Sequence, residues 1–125
     1  MLVDTEHSNS DQTYQNEMLL FMRDGRLTVI DDFFPFGTRD CTSTQFEMLN
    51  LTAQPNGDRY WPITAVITRQ TAKVPEADSG CQEPTWKDFR FEDFAAVYTW
   101  DDTARKYVTA SIELQKLADM DQQLF

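Results

Sequence analysis

Histidine occurs once among the 125 residues, cysteine twice and glycine four times. No apolar run approaches the roughly 18 residues that a membrane-spanning helix requires. Each scarcity closes a class of function. A zinc site draws about four ligands from Cys, His and carboxylate, whereas Cys41 and Cys81 belong to no Cys-x-x-Cys pair and His7 lies in a polar N-terminal tract. The same isolation of His7 argues against a Cys–His nucleophile. The serine elbow Gly-x-Ser-x-Gly and any glycine-rich phosphate loop are absent. Positive charge is also short. Eleven Lys and Arg stand against 21 Asp and Glu, a net charge of -10. A field of that sign repels phosphate backbones and anionic lipid, so neither nucleic acid nor membrane insertion is expected.

Carboxylates are plentiful but poorly placed for catalysis. Glu92 and Asp93 are neighbours in an extended run and point to opposite faces, as do Asp31 and Asp32 if their strand continues. Asp101-Asp102, Asp31-Asp32 and Asn56-Gly57-Asp58 offer oxygen ligands, yet none has the spacing of a calcium loop, and acidic residues at strand ends serve mainly as turn formers. The chain therefore reads as a protein that is not an enzyme and needs no metal or cofactor.

What is present points to a folded body: 41% hydrophobic and 13% aromatic residues. Apolar runs are separated by turn chemistry. Residues 17–22 and 27–31 flank Asp24-Gly25, a pair suited to the positive φ angles of a type I′ turn. Residues 45–52 and 60–68 flank Asn56-Gly57, with Pro62 marking a strand start or edge because it cannot donate to a ladder. Residues 89–100 and 106–110 flank a third turn, 101–105. Beyond it Ile112, Leu114, Leu117, Met120 and Leu124 recur at helical spacing, and Ser111 suits a helix start, so a helix is expected over about 112–122. The predicted class is mainly β (α+β): an antiparallel meander or small sandwich or barrel of about six strands in three hairpins, closed by one C-terminal helix. Residues 1–16 read as a flexible polar lead-in and 17–125 as a single β-rich domain.

Cys41 and Cys81 fall in the two long loops, 32–44 and 70–88, where a disulfide between them would pin a binding surface. A disulfide favours an oxidising compartment. No signal peptide is recognisable at Met1, so the expectation is a periplasmic or secreted protein whose signal has been removed, with the cytoplasm as the alternative.

Aromatic residues and charge suggest how it would act. Tyr98 and Trp100, two apart in a strand, share a face where Tyr107 can pack across from them. Trp86 sits beside Pro84 in a polar loop and has no obvious core role. Phe34 and Phe36, in Phe33-Phe34-Pro35-Phe36-Gly37, either plug the end of the sheet or form a patch for a partner. Acidity is concentrated in residues 1–58, net -7, against -3 for 59–125. These features predict a non-enzymatic protein-binding domain of the bacterial envelope or exterior. Asp31, Asp32, Asp101 and Asp102 would supply an acidic face, and Phe34, Phe36 and Trp86 the contacts, for a basic protein partner. An inhibitor or immunity protein for a basic enzyme is the sharpest form of this reading. The alternatives are a carbohydrate- or ligand-binding module using Trp86 and nearby aromatics, and an accessory domain of a larger envelope protein.

Overall fold

A computed structural model describes residues 1–9, 11–74, 80–81, 83–85 and 87–124. Within these the chain is mainly β, with antiparallel strands β1 (Leu2–Ser8), β2 (Gln12–Arg23), β3 (Arg26–Phe33), β4 (Phe36–Arg39), β5 (Ser43–Ala53), β6 (Ile63–Lys73), β7 (Phe89–Asp101) and β8 (Lys106–Val108), then one helix, α1 (Glu113–Gln122). The sheet order is β1-β2-β4-β5-β6-β7-β8, with β3 also paired to β2.

The three expected hairpins form. Asp24 and Gly25 take φ of 51° and 74°, the left-handed pair their sequence suits. The β5–β6 ladder runs without a break from Ser43↔Lys73 to Ala53↔Ile63. Pro62 lies just outside it, and its carbonyl accepts the Gln54 N–H at 3.0 Å. In the β7–β8 turn the Asp101 carboxylate accepts the N–H groups of Thr103 and Ala104 at 2.9 and 3.0 Å. Ser111 Oγ accepts the Glu113 N–H at 3.3 Å and donates to the Ala95 carbonyl at 2.8 Å. Glu113 in turn accepts the Ala95 N–H at 2.8 Å. The helix start thus satisfies backbone groups of β7 that no strand covers.

Two strands exceed the six expected from pattern. The tract read as a lead-in is instead β1 and the first part of β2, paired from Leu2↔Leu19 to Ser8↔Thr13. All seven β1 residues are exposed, so hydrophobic alternation could not reveal it. Its ladder rests on backbone hydrogen bonds, and Asn9 Oδ1 closes the turn by accepting the N–H groups of Asp11 and Gln12. The loop expected over 32–44 contains β4. Asp32 and Phe33 continue β3, and Phe34-Pro35 breaks the strand before Phe36 resumes pairing on the same side of β2.

This break lets β4 pair with β5 while β3 turns towards β8. The sheet curls, and the core collects between its inner face and α1: Leu19, Phe33, Ala65, Ile67, Ala96, Tyr98 and Leu117. Antiparallel alternation has a further consequence. The β2–β3, β5–β6 and β7–β8 turns share one end of the sheet, whereas the β4–β5 and β6–β7 connections lie at the other.

Candidate functional site

An arginine borders each of the three turns gathered at one end. Arg23 closes β2, Arg59 precedes β6, and Arg105, at φ 56°, leads into β8. Between them stands an aromatic cluster. Trp100 pairs across the ladder with Tyr107. Tyr60 stacks on Trp100 with centroids 4.2 Å apart, and Phe21 meets both Tyr60 and Tyr107 edge-on. The Arg23 guanidinium lies 5.2 Å from the Trp100 ring and 5.6 Å from Tyr60, and Arg59 lies 5.5 Å from Tyr60. Arg23, Arg59, Tyr60 and Trp100, with Asn56, Asp58, Asp102 and Arg105, line a groove of about 630 Å³.

Its polar groups are positioned. The Trp100 indole N–H donates to Asp102 at 2.8 Å, and the Asn56 carboxamide donates to Asp58 at 2.8 Å. Tyr107 donates to the Trp61 carbonyl at 2.9 Å, and burial raises its phenol pKa. The Tyr60 hydroxyl is buried with no hydrogen-bond partner among the described residues. Arg23 approaches Asp24 at 3.6 Å, while among the described residues no carboxylate pairs with Arg59 or Arg105. Guanidinium forks beside an aromatic wall can hold a carboxylate or another oxyanion.

A second group of ionisable side chains lies beneath α1. Glu47 and Asp121 are 2% and 5% exposed and hydrogen-bonded to each other. Glu47 Oε2 accepts the Phe36 N–H at 3.1 Å, and Gln45 donates to Glu47 and Asp121 at 3.3 and 3.4 Å. Burial, reinforced by Asp121, pushes the Glu47 pKa up to about 8, against the smaller opposing pull of the Phe36 N–H and Arg69. Burial raises Asp121 as well. A cavity of about 420 Å³ alongside is lined by Asp31, Phe33, Tyr98 and Leu117 among others. The Tyr98 hydroxyl donates to Asp31, and burial lifts its pKa above the usual phenol range. Three of this region's carboxyls are thus engaged with the fold itself: Glu47 and Asp121 tie α1, β4 and β5 together, and Asp31 ties β3 to β7.

Of the residues singled out from sequence, Asp31, Asp32 and Phe34 line the cavity beside α1, whereas Asp101 and Asp102 lie at the β7–β8 turn. Asp31 holds Tyr98, and Asp101 and Asp102 hold their own turn and Trp100. Asp32 is exposed beside Phe34, which is 52% exposed at the strand break. Phe36 is a correction. It is 1% exposed, because β4 turns it inward beneath the sheet, so it plugs the core and cannot touch a partner. Trp86 lies outside the described residues. Cys41 and Cys81 form a disulfide at the end opposite the groove. Nearby, Arg39 pairs with Glu83, and Asp40 accepts the N–H groups of Thr42 and Ser43, which hold its carboxyl below the usual range. Sequence reasoning pointed to Tyr60 among the aromatics but missed Arg23, Arg59 and Arg105. The signal for them was an arginine at each hairpin turn, which gains meaning only when topology brings the turns together.

No protein-family model, curated protein or solved structure matches this chain. Among the described residues no helix is long and apolar enough to cross a membrane, and no group of three or more His, Cys, Asp or Glu is arranged to hold a metal ion.

Proposed function

We propose that this protein is a non-enzymatic ligand-binding module that captures an anionic group in the arginine–aromatic groove. One observation carries the reading: Arg59 and Arg105 have no carboxylate partner among the described residues, in a chain with 21 carboxylates, two of which line the same groove. Arg26 and Arg90 are likewise without an ion pair among the described residues, and what sets Arg59 and Arg105 apart is their place on the groove wall. Leaving two guanidinium groups open beside a stacked Tyr–Trp pair pre-organises a site for an external anion. The disulfide favours the periplasm or the exterior as its compartment.

The test is a thermal-shift screen of carboxylated, sulfated and phosphorylated small molecules, followed by titration of Trp fluorescence. An anionic hit should bind at least about tenfold more weakly to Arg59→Ala/Arg105→Ala, with the melting temperature of the free protein unchanged. Equal affinity in the double variant removes the proposal.

A second reading, docking on a basic protein such as an enzyme to be inhibited, is favoured by the exposed pair Asp32 and Phe34. In that case Asp32→Ala should slow association by about two- to fivefold and flatten its salt dependence. An unaltered rate with an identified basic partner would count against it.

A further inference from the structure

Resting on the anion-binding reading, we infer that the groove takes an acidic saccharide, a sugar ring bearing a carboxylate. The groove is not uniformly cationic. Asp58 and Asp102 line it together with Arg23, Arg59 and Arg105. A phosphate dianion facing the guanidinium groups would also face these two carboxylates, at a repulsive cost. A monoanionic sugar uses both signs of charge. Its carboxylate matches the planar fork of an arginine, and its hydroxyls need acceptors, which Asp58, Asp102 and the Asn56 carbonyl provide.

The remaining features fit the same class. At about 630 Å³ the groove far exceeds a single oxyanion and falls in the ordinary range of small-molecule sites. Trp100 and Tyr60, stacked on each other, both line the groove and supply apolar surface against which the C–H face of a sugar ring can pack. An acidic peptide carries its carboxylates on flexible stems and brings no rigid ring to that surface.

The experiment is calorimetry with Trp fluorescence on the full oxidised chain. The probes are short oligomers of galacturonic, glucuronic and mannuronic acid, their methyl esters, inorganic phosphate and an aspartate-rich peptide. At least one uronate oligomer should bind, its ester at least about tenfold more weakly. Arg105→Ala should weaken the uronate about tenfold. Asp58→Asn should weaken the uronate several-fold while leaving phosphate equal or tighter. Tighter binding of phosphate or the peptide, still lost in Arg59→Ala/Arg105→Ala, would overturn the saccharide assignment and leave the anion-binding reading standing. If no uronate binds, or if ester and acid bind equally, the assignment also falls.

Discussion

Raising the pH from 5 to 9 should lower folding stability by on the order of 3 kcal/mol through Glu47. Its carboxyl is 2% exposed between β5, β4 and α1, and its pKa lies near 8 instead of the ordinary 4.5. Between those values the folded state holds a proton that the unfolded state has released. Stability therefore falls as pH rises through this interval, and the contribution is gone above about 8. Burial away from water is the main cause of the direction, and the groups facing Glu47 modify it. Asp121 on α1 disfavours a second negative charge, and Arg69 on β6 and the Phe36 N–H offset it only in part. Asp121, also raised by burial, adds a change of the same sign.

Urea unfolding at pH 5, 7 and 9 measures the slope. Glu47→Gln should flatten it and exceed the native protein in stability at pH 9, because the carboxamide stays neutral yet can still donate to Asp121. A native profile that is flat, or a Glu47→Gln profile that keeps the slope, would refute this account. Helix α1 should be the element that loosens first at high pH, with hydrogen exchange over 113–122 rising before that of β5–β6.

Reducing the Cys41–Cys81 bond should cost about 4 kcal/mol, since it closes a loop of 40 residues in the unfolded chain. The urea midpoint should drop by about 2 M. Cys41→Ser/Cys81→Ser should behave like the reduced protein and ignore reductant. The bond lies at the end opposite the groove, and the aromatic cluster holds itself through Phe21, Tyr60, Trp100 and Tyr107. Below the unfolding transition, ligand affinity should therefore be the same with and without the bond. Coincident midpoints with and without reductant would show that the bond contributes nothing.

Much of the fold was legible because local chemistry determines it. Asp24-Gly25 and Asn56-Gly57 announce turns, Pro62 marks a strand start, and the 112–124 apolar spacing announces the helix. Strand β1 was hidden for an equally physical reason. All its side chains face solvent, so its pairing leaves no hydrophobic pattern. Phe36 was ambiguous because a Phe beside Pro35 reads the same whether it plugs or protrudes. The strand break at Phe34-Pro35 decides the matter by pairing β4 with β5 and turning Phe36 onto Glu47.

By itself the sequence determined the hairpin turns, the C-terminal helix and a strongly anionic body, since each follows from residue type and short-range spacing. Only the tertiary structure decided which charges meet. Glu47 and Asp121, 74 positions apart, share a buried hydrogen bond, and Arg23, Arg59 and Arg105 surround one groove. Such pairings depend on strand order and sheet curvature, and neither leaves a periodic trace along the chain.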